Sequence, residues 1–126
     1  MSVKKKSSIY ESLICNPKKK LAVLIDPDKA SPTEAARAAR DAESADADFI
    51  LAGGSHISKL NFEECLQAIK DASGLPLLIF PGSSFQLSPI ADALLFLSLI
   101  SGRNAELLIG QQVQAAPLAD NMGLEC

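Results

Sequence analysis

Four short apolar runs set the terms for what this chain can fold into: residues 21–25, Phe49–Ala52, residues 75–80, and a fourth near residues 92–99. Each is close to unbroken rather than alternating, which is how strands covered on both faces read. Between them lie segments with helical start and stop signals, so strand and helix alternate four times. That order asks for an α/β fold, a parallel sheet with helices laid against it. The chain has 126 residues, enough for one domain with a core but well short of the roughly 250 residues of a complete (β/α)8 barrel. No linker divides it, and residues 1–126 are expected to form a single domain.

The helical segments carry specific signals. Residues 8–14 suit a short helix with Ile9, Leu13 and Tyr10 on one face, closed by Asn16-Pro17. Ser31-Pro32-Thr33-Glu34 combines an N-cap, a proline at the first helical position and a capping box, and predicts a helix to about Ser44. Asn61 and Glu64 repeat the capping pattern before a stripe of Leu66, Ile69 and Ala72, which should end at Gly74. A last helix is expected over about residues 105–115, broken by Pro117, with residues 117–126 left as a frayed tail.

Every apolar run stops in a polar or glycine-rich turn: Asp26-Pro27-Asp28, Gly53-Gly54-Ser55-His56, Pro81-Gly82-Ser83-Ser84, and Ser101-Gly102-Arg103-Asn104. In a parallel sheet these turns share the carboxyl edge, where α/β proteins keep their chemistry. Asp26 can serve there in two ways: its carboxylate is the hard oxygen donor that Mg²⁺ prefers, and it is equally suited to cap the Pro27 turn. Asp28 and Lys29 are better suited to solvent than to ligation. Gly53 and Gly54 allow backbone N–H groups to approach an anion, with the Ser55 hydroxyl as a further ligand. Ser83, Ser84 and Ser101 suit phosphate contacts and turn formation alike. His56 has no serine or cysteine partner at a spacing that would support a catalytic triad.

Charge bounds the partners. Six lysines (Lys4, Lys5, Lys6, Lys18, Lys19, Lys20) crowd the first 20 residues against the single acid Glu11, leaving six basic residues against fourteen acids in the body. Such a body has no field to hold nucleic acid. The lysine clusters suit solvated ends or peripheral contact with an anionic membrane surface. Cys15, Cys65 and Cys126 are odd in number and widely spaced, which suggests neither a disulfide framework nor a zinc site and fits a reducing cytoplasm. No apolar run follows the first lysines before Leu21, so no signal peptide is expected.

Ile25-Asp26-Pro27-Asp28-Lys29, the run from Phe49 through Gly53-Gly54-Ser55, the run from Pro76 through Phe80-Pro81-Gly82, and Ala91 to Phe96 followed by Ser101-Gly102-Arg103-Asn104 stand in one order and spacing. Together, over about residues 5–116, they resemble the geranylgeranylglyceryl phosphate synthase family, especially its bacterial and heptaprenyl branch. The resemblance implies the N-terminal half of a (β/α)8 TIM barrel, with about four parallel strands and their covering helices. It also implies a Mg²⁺-dependent prenyltransferase that moves a polyprenyl group from prenyl diphosphate to the 3-hydroxyl of sn-glycerol 1-phosphate in ether-type phospholipid biosynthesis. The family's metal aspartate falls on Asp26 and its metal-binding Ser/Thr on Ser55. Leu24 stands where some members place a lysine for glycerol phosphate.

Only four β/α units match, so a truncated chain with little or no activity alone is expected. The alternative is a non-catalytic half-barrel assembly module that keeps a Mg²⁺–anion site. Either way the outer strands present open edges, which invite homo-oligomers. A small flavodoxin-like domain is a further possibility, but no glycine-rich nucleotide fingerprint follows the first strand.

Overall fold

The computed structural model describes residues 9–54, 59–82, 86–97 and 103–126. Its elements run α1 (Ile9–Ile14), β1 (Ala22–Ile25), α2 (Pro32–Ser44), β2 (Phe49–Ala52), α3 (Lys59–Ala72), β3 (Leu77–Ile79), β4 (Ala93–Leu94), then a widened helical turn (Glu106–Gly110) that continues into α4 (Gln111–Asn121). The four strands form one parallel sheet in the order β1-β2-β3-β4. β1 joins β2 through α2 and β2 joins β3 through α3, the repeating unit of an α/β barrel, whereas β3 passes to β4 without a helix among the described residues, so the strand-helix alternation expected at that step is not seen.

Register divides the sheet into two faces. Ile25, Ala52, Ile79 and Leu94 lie in one row and point outward into the main core. There they meet Ala35, Ala39 and Ala42 of α2 and Phe62, Cys65, Leu66 and Ile69 of α3. The alanines recur on one face of α2, and their small side chains let that helix lie close against its neighbours. The next row, Leu24, Leu51, Leu78 and Ala93, points to the inner face. Phe49, Leu78 and Ala93 are buried there with Ile9, Leu51 and Leu95 around them. Leu24 is 55% exposed, and Phe80 and Leu97 are also exposed.

The capping signals of α2 are realised. Ser31 Oγ accepts from Glu34 N at 3.3 Å, and Glu34 Oε2 accepts from Ser31 N at 2.8 Å, with Pro32 opening the helix. These bonds to Ser31 hold the Glu34 carboxyl below its ordinary value. Its contribution to stability is therefore complete above the carboxylate range and is lost as pH falls through it. Replacing Ser31 by alanine should cost about 1 kcal/mol in urea unfolding, and the loss should shrink at acid pH. At the other end Asp46 takes φ 57°, with Asp46 N on Glu43 O at 3.1 Å and Ala47 N on Ala42 O at 3.0 Å. This is a Schellman stop with aspartate in the place glycine usually fills.

Several expected boundaries move. Helix α3 begins at Lys59, so Asn61 lies within its first turn and the predicted cap there does not form. Strand β3 is shorter than 75–80, and β4 covers only Ala93–Leu94 of the 92–99 run, of which 98 and 99 fall outside the described residues. In α1 only Ile9 packs inward, while Tyr10 and Leu13 are exposed.

The largest change is at the C-terminal segment. Pro117 does not end the last helix: α4 continues through it to Asn121. Pro117 and Val113 lie on the exposed side, where water can serve the carbonyl that the proline ring leaves without an N–H. Ala115 and Ala119 are buried on the opposite side and hold the helix down. Gly123 (φ 70°) then makes a second Schellman stop, with Gly123 N on Asp120 O and Leu124 N on Ala119 O, both at 3.0 Å. Leu124 is buried in the main core. Glu125 forms a parallel bridge to Ala93, Leu94 N donating to Glu125 O at 2.7 Å and Glu125 N to Asp92 O at 3.3 Å. Its carboxylate accepts from Ile9 N and Tyr10 N, tying α1 to the same rim. Residues 117–126 are thus placed by a cap, a core leucine and a strand-like pairing rather than frayed.

Cys65 is fully buried, its thiol donating to Ala30 O at 3.5 Å, and burial pushes its pKa up. Cys15 and Cys126 are exposed. Burial, with Asp120 and Glu125 nearby, raises the Cys126 thiol too. A thiol reagent should therefore label Cys15 first, Cys126 more slowly, and Cys65 only on unfolding. Mass spectrometry of the labelled peptides reads the order.

Candidate functional site

At the carboxyl ends of the strands three turns converge. Asp26 follows β1 directly, and its backbone carbonyl accepts from Lys29 N at 3.0 Å and Ala30 N at 3.1 Å. Oδ1 accepts from Asp28 N at 3.0 Å, the side-chain-to-backbone bond of an Asx turn. The capping role weighed for Asp26 is therefore real, and it engages one carboxylate oxygen. The other, Oδ2, lies 3.9 Å from Lys29 Nζ, on a lysine side chain that is 85% exposed. Such a pair is weak and readily displaced.

Gly53 and Gly54 follow β2. Gly53 N donates to Ile25 O at 3.1 Å and Phe80 N to Ala52 O at 2.9 Å, carrying the ladder to the rim. A β-carbon on Gly53 would stand 1.8 Å from Phe80 O, so the chains pass in contact there. A β-carbon on Gly54 would stand 2.7 Å from Asp26 Oδ1 and 2.9 Å from Oδ2. The Asp26 carboxylate thus lies against the bare α-carbon of Gly54, in space that a side chain would fill. On the other side of Gly54, its carbonyl sits where a β-carbon of Gly82 would be, at 2.4 Å. Gly82 N donates to Gln86 Oε1 at 2.6 Å. Asp26, Gly54 and Gly82 are thereby gathered on one rim, as the strand order requires.

Ser55, His56, Ser83, Ser84 and Ser101 lie outside the described residues. Asp28 is exposed. Among the described residues no group of three or more His, Cys, Asp or Glu side chains is arranged to hold a metal ion. The donor chemistry at Asp26 still fits Mg²⁺. A hard cation is commonly held by one or two carboxylates with phosphate and water completing its shell. Asp26 presents a hard oxygen donor, and the bare α-carbon of Gly54 is what lets its carboxylate lie at this rim.

Two polar arrangements escape sequence reasoning. Gln86 as the partner of the Gly82 turn has no signal in the sequence. Lys70 pairs with Asp92 at 2.8 Å, and Asp92 Oδ2 also accepts from Leu77 N at 2.9 Å. Here a signal existed, since a carboxylate inside an apolar run calls for a partner. This pair, with Ile9, Gly74, Pro76, Gly123 and Glu125, lines a cleft of about 280 Å³ at the amino rim of the sheet. Its Lys70, Asp92 and Glu125 side chains are engaged in holding α3, β3 and α1 together. It lies at the wrong end of the strands for the chemistry of this fold.

A four-stranded parallel sheet with covering helices, its glycine turns and Asp26 at the carboxyl rim, corresponds to half of a (β/α)8 barrel. The chain belongs to the PcrB family, whose model matches residues 15–125. The match reaches well past residue 116, so the C-terminal helix and Glu125 belong to the family pattern as well. The geranylgeranylglyceryl phosphate synthase of Chitinophaga pinensis is 47% identical over 122 residues, covering 94% of this chain and 48% of that protein. The enzyme of the same name from Thermoplasma acidophilum is 45% identical over 103 residues, 81% of this chain and 41% of that one. The crystal structure of (S)-3-O-geranylgeranylglyceryl phosphate synthase from Thermoplasma acidophilum with sn-glycerol-1-phosphate superimposes with a TM-score of 0.88 at 40% identity. It covers 94% of this chain and 49% of the other. The chain spans about half the length of the relatives it matches.

Proposed function

We propose that this chain carries the metal and diphosphate half of a prenyltransferase that joins a polyprenyl group to the 3-hydroxyl of sn-glycerol 1-phosphate, in ether-type phospholipid biosynthesis. The observation that carries the proposal is the Asp26 carboxylate seated against Gly54 at the carboxyl rim, in a chain of this family. The reaction forms a bond between the acceptor oxygen and C1 of the prenyl chain and breaks the bond from C1 to the diphosphate. Diphosphate departs with the electron pair, and the hydroxyl proton is released. Asp26 would hold Mg²⁺, with Ser55 as its second protein ligand. Bound there, the metal would supply positive charge for the departing diphosphate. The Gly53-Gly54 turn brings backbone close to that anion without side-chain obstruction. Leu24 and Leu51 on the inner face supply part of an apolar wall for the polyprenyl tail. Cytoplasmic residence agrees with free, exposed Cys15 and Cys126. The exposed Lys18 and Lys19 offer a positive edge to an anionic membrane carrying the lipid product, while Lys20 pairs with Asp48 at 3.7 Å.

The test compares the 126-residue chain with a chimera in which it is joined to the second half of the Chitinophaga pinensis synthase. With radiolabelled prenyl diphosphate and sn-glycerol 1-phosphate, the chimera should form prenylglyceryl phosphate and the chain alone little or none. A folded chimera without turnover would sink the proposal and favour a non-catalytic half-barrel module. Full turnover by the chain alone would mean that these residues suffice for the reaction without a second half.

A further inference from the structure

We propose that Gln86 is a further anion-binding residue at the carboxyl rim, its side-chain carbonyl locking the Pro81-Gly82 turn while its amide nitrogen donates to an oxygen of the diphosphate group. The proposal rests on the prenyl-transfer reading for the identity of the anion, and on the geometry of the rim for the contact itself.

The orientation of the Gln86 amide is fixed by its partner. Gly82 N is a donor and lies 2.6 Å from one end of that group, so the end facing it is the carbonyl, Oε1. Nε2 is therefore turned the other way, and among the described residues it has no acceptor. Gln86 is half-buried and Gly82 exposed, so the turn lies at the surface of the rim.

Four groups stand in a row there. The Gln86 amide lies against the bare α-carbon of Gly82, its oxygen and its nitrogen both 3.3 Å from where a β-carbon would be. Gly54 O is 2.4 Å from the same point, and a β-carbon on Gly54 would stand 2.7 Å from Asp26 Oδ1. The order Gln86, Gly82, Gly54, Asp26 follows the order of the strands, which lie about 4.8 Å apart. A diphosphate has two phosphoryl groups, and the rim offers them different things. At one end stands a carboxylate suited to a hard cation, at the other a neutral N–H donor. Only glycines separate the two.

Gln86 is also held from behind. Leu87 and Ile90 pack against the main core, and Ser88 is fully buried. Ser88 Oγ donates to Glu63 Oε1 at 3.2 Å and accepts from Ile90 N at 3.3 Å, tying the segment to α3. The core thus sets the backbone of Gln86, and Gly82 N sets the angle of its amide. A donor already oriented loses little freedom when an anion binds. A side chain serving the turn alone needs only its acceptor oxygen, which glutamate would supply as well.

Two variants of the 126-residue chain separate the roles. Gln86→Glu keeps an oxygen for Gly82 N and removes the donor, whereas Gln86→Met keeps the length and removes both. Binding of inorganic pyrophosphate with Mg²⁺ is measured by calorimetry at neutral pH, at low salt and at about 1 M salt, where the Debye length is about 3 Å. The parent chain should bind. Both variants should bind about tenfold more weakly or worse at either salt concentration, the scale of a lost hydrogen bond to a charged group. Gln86→Glu should melt with the parent and Gln86→Met below it. If Gln86→Glu matches the parent at high salt, the proposal is overturned: equality at both salts leaves a turn former, and a loss confined to low salt is repulsion through solvent. A parent chain that does not bind pyrophosphate overturns it too.

In the chimera, Gln86→Glu should raise KM for prenyl diphosphate by about tenfold and leave KM for sn-glycerol 1-phosphate unchanged. An active chimera whose prenyl diphosphate KM ignores Gln86→Glu removes the Gln86 contact and leaves the enzymatic reading standing. Pyrophosphate binding that both variants lose, in a chain whose folded chimera forms no product, does the reverse.

Discussion

Asp26→Ala in the chimera should lower kcat for prenyl transfer by about 10²- to 10³-fold, the usual loss when a preorganised group that stabilises transition-state charge is removed. Folding should change little, because the turn keeps the backbone bonds from Lys29 N and Ala30 N to the Asp26 carbonyl. What is lost locally is the bond from Asp28 N to Oδ1, which is why Asp26→Asn is the sharper variant. Asparagine keeps an oxygen for the turn and removes the charge. Kinetics across a Mg²⁺ titration separate the two roles. An asparagine variant with parental kcat and unchanged Mg²⁺ dependence would reduce Asp26 to a turn former.

Gly53→Ala should be the most destabilising single-methyl change at the site, costing about 3 kcal/mol out of the roughly 5–15 kcal/mol by which domains are stable. The cause is a collision with backbone, not an unusual backbone angle. The added carbon would lie 1.8 Å from Phe80 O and 2.7 Å from Phe80 C, and neither can rotate away. Relief requires β2 and β3 to separate at the rim, which also pulls Gly54 from Asp26. Gly123→Ala is the useful contrast: nothing lies within 4 Å, so its cost is only that of a left-handed backbone at φ 70°, about 1–2 kcal/mol. Urea unfolding of the two variants should rank them in that order. Equal losses would mean that the strand contact at Gly53 yields more easily than its geometry suggests.

The strands and the α2 cap were legible because each is written locally. Unbroken apolar runs mark buried parallel strands, and Ser31-Pro32 with Glu34 states a helix start within four residues. Helix α3 shows the limit of that logic: Asn61 and Glu64 carry the same signal, yet the helix begins at Lys59 and absorbs them. Pro117 shows it more strongly. A proline argues for a stop when only the chain is considered, but the anchor lies elsewhere, in Ala115, Ala119 and Leu124 packed against the body. Gly123-Leu124 was a readable sign of the later stop, outweighed in the sequence by the proline.

For the site, the sequence by itself determined which residue types stand at the end of each strand. Asp26, Gly53-Gly54 and Pro81-Gly82 share a rim because parallel strands all finish on the same side. Only the tertiary structure decided that Asp26 rests on Gly54, that Gly54 passes against Gly82, and that Glu125 takes the place beside β4. Those contacts depend on strand register and on close approach of backbone between segments far apart in the chain. Local patterns of hydrophobicity and capping carry no record of either.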